Sequence, residues 1–115
     1  LKNTDISAIV CEPYMGPPQT TLLSDQKASE LLLDVKNLYF KLFDLIDNKL
    51  EKRHIKVVII IPSYKTRNGW RTFGIRELIN KRWIVKNGDY IKNRDLKWSR
   101  KNSIITRNIF ILERT

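Results

Sequence analysis

Three residue types that could take part in chemistry stand together near the start of the chain. Glu12 supplies a carboxylate, Tyr14 an aromatic ring and Gly16 a position without a side chain, all within five residues of one another. A carboxylate accepts hydrogen bonds from an amine, and an aromatic ring stacks on a flat group. This spacing therefore predicts a loop that holds a flat, polar substrate.

The apolar run before this loop predicts a buried strand over residues 6–11, because it is mostly small or β-branched. Pro13 lacks an N–H donor and disfavours a helical conformation at the residue before it, so the chain leaves the strand at Glu12. Ligands of open α/β sheets bind at the carboxyl ends of strands. The alternative is a rigid loop with an exposed acid and no ligand.

A long helix and a second strand are expected next. Ser24 is a suitable N-cap for a helix over residues 25–53, in which apolar residues recur at helical spacing. Residues 57–61 are β-branched throughout, and we expect Pro62 to end this strand. A strand, a helix and a strand in this order predict two parallel strands and an α/β fold.

The remainder of the chain predicts a shorter helix over residues 73–81 and a terminal antiparallel hairpin over residues 96–113. The helix would turn Ile75, Leu78 and Ile79 inward. The hairpin consists of two extended runs that flank a polar loop at residues 101–103.

The loop expected after the second strand combines aromatic and basic residues, namely Tyr64, Lys65, Arg67, Trp70 and Arg71. Aromatic rings stack on bases while cations neutralise phosphates, so this combination is typical of nucleic-acid binding. For Trp70, an anchoring role in the core fits the sequence equally well.

The net charge is concentrated in the second half of the chain. From Lys65 onward there are 14 of the 22 basic residues and 4 of the 12 acidic ones, and the difference equals the whole net charge of +10. Such asymmetry favours a surface that faces nucleic acid. The alternative is a solvated surface in a chain rich in Lys, Asn and Ile.

Composition excludes several classes of protein. The 115 residues, 42% of them hydrophobic, predict one folded domain, and the single Cys11 allows no internal disulfide, which favours a reducing, cytoplasmic setting. No apolar run approaches the roughly 20 residues of a membrane span. Cys11 and His54 are not spaced as metal ligands, so no metal is expected. The start at Leu1 predicts a fragment of a longer protein.

The run Glu12-Pro13-Tyr14, followed closely by Gly16, resembles the Asp/Asn-Pro-Pro-Tyr loop of amino-methyltransferases, in the variant of THUMP-associated RNA guanosine-N2 methyltransferases. In that family the loop follows the fourth strand of a Rossmann-like, S-adenosylmethionine-dependent domain. Its polar groups hold the exocyclic amine, and its aromatic ring stacks on the base. Aligning Pro13-Tyr14 places Cys11 at the family's acidic position and Glu12 at the first proline, so either residue could inherit the acidic role; Glu12 is the only carboxylate there.

The resemblance implies specific roles and a fold. The order of elements is similar to the C-terminal half of the methyltransferase fold, β-α-β-α and a terminal hairpin in a mostly parallel sheet. Trp98-Ser99-Arg100 and residues 107–112 are similar to runs near the end of family members. The cofactor would be S-adenosylmethionine and the substrate RNA, specifically tRNA. The catalytic residues would be Glu12, Pro13 and Tyr14, of which Glu12 and Pro13 also contact the cofactor; the substrate-binding residues would be Cys11, Gly16, Tyr64, Lys65, Arg67, Arg71 and Arg100.

The family's glycine-rich cofactor turn has no counterpart here, since no G-x-G-x-x-G run exists in the sequence. We therefore expect the chain alone to be inactive, and the missing N-terminal half or a partner chain to cover the exposed strand edge. The alternative function is a small basic nucleic-acid-binding module, or an accessory subunit without catalysis.

Overall fold

The computed structural model describes residues 8–12, 21–49, 54–90, 97–99 and 103–114. These residues form a six-stranded sheet, one long helix, one short helix and a 3₁₀ turn. The elements in chain order are β1 (Ala8–Cys11), α1 (Asp25–Lys49), β2 (Ile55–Thr66), β3 (Gly69–Arg71), the 3₁₀ turn (Ile75–Glu77), β4 (Trp83–Val85), α2 (Asn87–Tyr90), β5 (Lys97–Trp98) and β6 (Ile105–Arg114). The protein is therefore α/β, as expected.

The sheet is mixed, with the strand order β1-β2-β6-β4, and with β3 also paired to β2 and β5 to β6. Strands β1 and β2 are parallel from Ala8, opposite Lys56, to Cys11, opposite Ile59, which is the expected arrangement. The other described pairs are all antiparallel, so the expectation of a mostly parallel sheet is wrong. Parallel pairing needs a long crossover, and the described chain after β2 has no long helix to supply one.

Strand β2 is longer than predicted, because it continues through Pro62 and ends at Thr66. One of its edges pairs with β6 along residues 55–63. The other edge pairs with β1 at residues 56–59 and with β3 at residues 64–66, and no described strand lies between them. A proline is tolerated in a strand where its missing N–H faces no partner strand. The predicted end of the strand before Pro62 is therefore wrong.

Two side-chain hydroxyls occupy the gap between β1 and β3. The Tyr39 hydroxyl of α1 accepts a hydrogen bond from the Ile60 N–H at 3.3 Å and donates one to the Ile60 carbonyl at 2.5 Å. The Thr72 hydroxyl donates to the Pro62 carbonyl at 2.9 Å. Burial raises the pKa of the Tyr39 hydroxyl, so its proton stays in place as a donor. Helix α1 is thus fixed to β2 by polar contacts as well as by packing.

Helix α1 begins at the predicted residue. The Ser24 hydroxyl accepts a hydrogen bond from the Lys27 N–H at 3.1 Å, and Asp25 lies in the first turn, where the helix dipole favours an acid. The structure follows the helix to Lys49; residues 50–53 of the predicted helix lie outside the described residues.

One narrow stripe of α1 is buried against the sheet. Its residues recur three or four positions apart and are Ala28, Leu31, Leu32, Val35, Tyr39, Phe43 and Ile46. Leu38 and Leu45, which the helical spacing places in the buried stripe, are instead about half exposed. Each lies one position away from a buried residue, and α1 contacts only one layer, so the helix buries less than its full apolar surface.

The buried side chains form two clusters. The larger one joins α1 to β2, β4 and β6, and contains Val35, Tyr39, Phe43, Ile46, Ile55, Val57, Ile59, Ile61, Ile75, Leu78, Trp83 and Leu112. The smaller one lies at the start of α1 and contains Leu23, Ala28, Leu31, Leu32 and Tyr64. At the end of β6, the buried Arg114 donates hydrogen bonds to the Ile46 carbonyl at 3.2 Å and to the Asp47 carboxylate at 2.9 Å. These two hydrogen bonds of Arg114 connect β6 to the end of α1.

The helix predicted over residues 73–81 is wrong. The chain forms β3 before this segment, a single 3₁₀ turn at Ile75–Glu77 within it, and β4 after it. Ile75 and Leu78 are buried as expected. The periodicity therefore identified the inward-facing residues but not the backbone conformation that places them.

Side-chain bonds and packing explain why this segment does not continue as a helix. The Asn80 side-chain carbonyl accepts a hydrogen bond from the Arg82 N–H at 2.9 Å, a local bond that competes with helical pairing. Directly after it, Trp83 is buried with its ring 5.1 Å from that of Phe43 in an edge-to-face contact. Packing of Trp83 in the core requires the chain to be extended at this point.

The two arms predicted at residues 96–113 are antiparallel strands, with Lys97 opposite Asn108 and Trp98 opposite Arg107. Residues 100–102, which include most of the polar loop between them, lie outside the described residues. Strand β6 is more than a hairpin arm, because it also pairs with β2 and β4 and lies in the interior of the sheet.

Removal of the Tyr39 hydroxyl should destabilise the fold. In Tyr39→Phe the N–H and carbonyl of Ile60 lose their shared partner, which costs about 1–3 kcal/mol when such groups stay buried. Urea unfolding followed by circular dichroism measures this difference. Asn37→Ala, on the exposed side of the same helix, is the control and should change stability by less than about 0.5 kcal/mol. Equal stability of the two variants would contradict the bridging role.

Candidate nucleic-acid interface

Glu12 lies directly after β1, at the end of its parallel pairing with β2. Its carboxylate is half exposed, and its Oε1 accepts a hydrogen bond from Nε of Arg107 at 2.8 Å. Neighbouring residues of an extended chain point to opposite faces of a sheet. Accordingly, Cys11 packs against the larger core cluster, while Glu12 reaches Arg107. Burial raises the pKa of the Cys11 thiol.

Arg107 connects Glu12 to an exposed aromatic ring. Its guanidinium carbon lies 5.2 Å from the centre of the Trp98 ring, which faces it across the β5–β6 pair. A guanidinium at this distance from an indole makes a favourable cation–π contact. The contact holds the Trp98 side chain in place while half of its surface remains exposed.

The β2–β3 hairpin presents a second exposed tryptophan at the same end of the sheet. Trp70 is 45% exposed and lies opposite Lys65 across the strand pair. The Thr66 hydroxyl closes the turn between them, because it donates to the Gly69 carbonyl at 2.8 Å and accepts from the Asn68 N–H at 3.1 Å. Gly69 has φ = +105°, a conformation that residues with a side chain rarely adopt. The turn therefore depends on glycine.

The hairpin is anchored to the start of α1 through Asp25. The Asp25 carboxylate accepts hydrogen bonds from the Asn68 side-chain amide at 2.6 Å and from Nε of Arg71 at 3.2 Å. These bonds lower the pKa of Asp25 to about 2. Arg71, predicted to bind substrate, thus forms an ion pair within the protein, and its charge is partly compensated.

The other basic residues of the hairpin are available for a ligand. Lys65 and Arg67 are exposed, and neither side chain makes a hydrogen bond or ion pair with another residue of the described chain. Tyr64, predicted in the same group, is fully buried in the smaller core cluster, and burial raises its pKa to about 12. In this position its ring is not accessible to a substrate.

A cleft of about 310 Å³ lies between the two exposed tryptophans. We call it the tryptophan cleft; it is lined by Ser63, Trp70, Lys97, Trp98, Ser99, Thr106 and Asn108. Ligand-binding clefts begin at about this volume. Trp70 comes from the β2–β3 hairpin and Trp98 from the β5–β6 pair, while β2 and β6 form the floor between them. The sheet therefore positions the side chains that line the cleft.

The floor of the cleft has a defined hydrogen-bonding pattern. The Asn108 side-chain N–H group donates to the Ile61 carbonyl at 2.9 Å and to the Ser63 hydroxyl oxygen at 2.7 Å. Because the Ile61 carbonyl can only accept, the Asn108 amide is oriented with its nitrogen toward β2. Its oxygen makes no hydrogen bond with another described residue and remains an acceptor. The Ser63 hydroxyl, already an acceptor, retains a proton to donate.

The structure does not bring the predicted site residues together at one point. Glu12 lies just past the Cys11–Ile59 pair, whereas Lys65 and Arg67 lie on the β2–β3 hairpin, several residues further along β2. Pro13, Tyr14, Gly16 and Arg100 lie outside the described residues, so their predicted roles stay predictions.

The sequence did not single out Ser63, Trp98, Arg107 or Asn108 as site residues. Trp98 and Arg107 stand in two extended runs, and the expected hairpin implies that some residue pairs face each other across it. Only the register places this tryptophan opposite this arginine. The polar run Thr106-Arg107-Asn108 within an otherwise apolar strand was the available signal, since a cation in a strand usually marks an exposed face.

Neither a metal-binding cluster nor a membrane-spanning helix is found within the described residues. Within the described ranges, no group of three His, Cys, Asp or Glu side chains is placed to hold a metal ion. The helices of the same residues include none with the length and apolar content that crossing a bilayer requires.

Comparison with known proteins returned no matching family model, no matching curated protein and no matching solved structure. The methyltransferase resemblance therefore depends on the residues of this chain alone.

The Asp25 anchor predicts a specific loss of stability in acid. The folded pKa of about 2 lies below the ordinary 3.8, so the ionised carboxylate contributes stability above pH 3.8, and this contribution is lost as the pH falls toward 2. Asp25→Asn should abolish that part of the pH dependence. Unfolding midpoints between pH 2 and 6, together with an NMR titration of the carboxyl group, measure it.

Asp34→Asn is the matched control, because Asp34 is exposed on α1 and its side chain makes no hydrogen bond with a described residue. It should leave the acid dependence unchanged. If Asp25→Asn lost stability in acid as steeply as the unmodified chain, the anchor would have no energetic role.

Proposed function

We propose that the chain binds RNA at the end of the sheet that carries Glu12, and that it does so as part of an S-adenosylmethionine-dependent methyltransferase acting on a guanosine amino group of tRNA. The observation that carries the proposal is the position of Glu12: its half-exposed carboxylate lies at the carboxyl end of a parallel strand, and Lys65 and Arg67 lie further along the neighbouring β2 and in the turn after it. Ligands of α/β sheets bind at this position.

The cations support the RNA part of the proposal. The side chains of Lys65 and Arg67 project from the β2–β3 hairpin and have no partner among the described residues, and the net charge of +10 attracts polyanions over a longer range. Phosphate binding by exposed cations requires no particular base sequence. A substrate strand would therefore be held along the hairpin, with its bases toward the sheet end.

The geometry of Glu12 supports the methyltransferase part. Arg107 occupies Oε1, so Oε2 is left to accept a hydrogen bond from a substrate amine. A carboxylate that accepts such a bond increases the electron density on the amine nitrogen. The Cys11 thiol, which packs toward the core and has a raised pKa, is less suited to this role. Of the two residues that the resemblance left open, we assign the acidic role to Glu12.

The described residues do not fit the cofactor. None of their glycines opens a turn from a strand into a long helix: Gly69 lies in the β2–β3 hairpin, Gly74 precedes the 3₁₀ turn, and Gly88 lies in α2. Backbone N–H groups at such a turn are what hold a nucleotide cofactor. We therefore propose that this chain holds and orients the substrate amine, and that the methyl donor is bound by another segment or by a partner chain.

The outer edge of β1 is where we propose that this segment or partner joins. Among the described strands, β1 pairs only with β2, and Val10 is 80% exposed. An uncovered strand edge and an exposed β-branched side chain beside it favour the addition of a further strand. A cofactor-binding segment or a separate subunit would meet the chain here.

A second candidate is a basic RNA-binding module without catalysis. The ion pair between Glu12 and Arg107 favours it, since a carboxylate held by a cation is a weaker acceptor for an amine. The two candidates share the RNA-binding surface and differ in whether Glu12 affects methyl transfer. The next two experiments test these points separately.

The first experiment measures the salt dependence of binding to unmodified tRNA. Affinity should fall steeply between low and moderate salt, and Lys65→Ala with Arg67→Ala should flatten the log–log slope by roughly 1.5 units, since each phosphate contact contributes about 0.7–0.9. Arg71→Ala should have a smaller effect because Asp25 already pairs with it. Lys41→Ala, an exposed lysine on α1, is the control. Equal slopes for all variants would contradict the interface.

The second experiment uses a longer parent protein that methylates tRNA, assayed by tritiated methyl transfer. Glu12→Gln should keep the fold and lower the rate by roughly 10- to 1,000-fold, the range expected for loss of one positioned polar group. Cys11→Ser is the control for the register and should change the rate little. Full activity of Glu12→Gln with reduced activity of Cys11→Ser would move the acidic role to position 11. Full activity of both would leave the RNA-binding module as the better account.

A further inference from the structure

We propose that the tryptophan cleft binds one unpaired nucleobase of the RNA, held against the indole rings of Trp70 and Trp98. The proposal rests on the proposed RNA-binding function and names the part of the RNA that this end of the sheet recognises. The site is separate from Glu12, although Arg107 connects the two.

Exposure of the two rings is the first argument. The chain has three tryptophans: Trp83 is 3% exposed, whereas Trp70 is 45% and Trp98 50% exposed. Large aromatic side chains are normally buried, and two that stay exposed on opposite walls of one cleft mark a binding surface. Ring surface left open to solvent in this way is what stacking on a flat ligand would cover.

Rigidity of the walls is the second argument. Trp70 is placed by a tight turn with a left-handed glycine and by the Asp25 anchor. Trp98 is placed by its register opposite Arg107 and by the guanidinium contact with its ring. Side chains that are held before binding lose little conformational entropy on binding. The cleft therefore has the geometry of a formed site.

The charges around the cleft select an anionic ligand. Lys97 lines it, Lys65 lies opposite Trp70 on the adjacent strand, and Arg67 stands in the turn beyond. A flat aromatic group surrounded by negative charge is a nucleotide, and the alternation of stacking rings with cations is how single-stranded nucleic acid is bound.

The floor of the cleft indicates that the base is unpaired. Asn108 offers an acceptor and Ser63 a donor, next to each other. A donor and an acceptor side by side complement the Watson–Crick edge of a nucleobase. In a duplex that edge is already paired and both ring faces are covered by neighbours. Only a base in a single-stranded segment, a loop or a flipped position can offer its faces and its edge together.

The test is binding of a single-stranded RNA oligonucleotide, followed by tryptophan fluorescence and by titration at several salt concentrations. Trp98→Ala and Trp70→Ala should each weaken binding about 10- to 100-fold, the range for loss of one stacked base. Trp98→Phe keeps a stacking ring and should stay within about threefold of the unmodified chain. The salt slope should be unchanged in all three variants, because no phosphate contact is removed.

Phe40→Ala is the matched control, since Phe40 is an exposed aromatic residue on α1 outside the cleft; it should bind like the unmodified chain. Duplex RNA of the same sequence should bind more weakly than the single strand and lose nothing in Trp98→Ala. Adenosine monophosphate should bind far more weakly than the oligonucleotide.

Three results would overturn the proposal while leaving RNA binding intact: full affinity in both alanine variants, equal losses on duplex and single strand, or mononucleotide binding as tight as that of the oligonucleotide. Failure of the unmodified chain to bind any RNA would instead overturn the proposed function. Circular dichroism of each variant, with Trp98→Phe as the conservative change, distinguishes a lost contact from a lost fold.

Discussion

The twelve residues of β2 need hydrogen-bond partners along both edges, and this requirement organises the structure. Strand β6 satisfies one edge, whereas the other is shared by β1, two hydroxyl groups and β3. The Tyr39 hydroxyl is the critical contact, since it serves both backbone groups of Ile60 where no described strand can reach them. It thereby supports β2 over the stretch between β1 and the hairpin that carries Trp70.

The elements predicted correctly are those whose signals are local. Ser24 marks the start of α1 through one side-chain bond, and the β-branched run around Val57 is extended in any environment that buries it. The errors arise where distant contacts decide. Pro62 ends a strand only if a partner strand needs its N–H, and the segment after Phe73 is extended because Trp83 must reach Phe43. Neither contact can be found from the sequence near the residue concerned.

The candidate site was predictable to the level of charge and residue type but not of pairing. The sequence grouped Lys65, Arg67 and Arg71 together, whereas Asp25, more than forty positions earlier, compensates only the last of them. Similarly, nothing in the sequence distinguishes buried Tyr64 from exposed Trp70, because the difference depends on how β2 meets α1. A basic stretch shows where the cations are; the fold determines which of them are compensated by acidic side chains.

The position of β6 has a consequence for how the protein is made. It pairs with β2, β4 and β5, all of which leave the ribosome before it. Until β6 emerges, β2 has one edge without its strand partner, and such an edge can recruit other chains. Helix α1 can already pack on β2 during this interval, so the nascent chain is expected to pass through an intermediate in which α1, β1 and β2 are assembled. Insertion of β6 then completes the sheet through contacts between distant residues, and these are the slow step of folding.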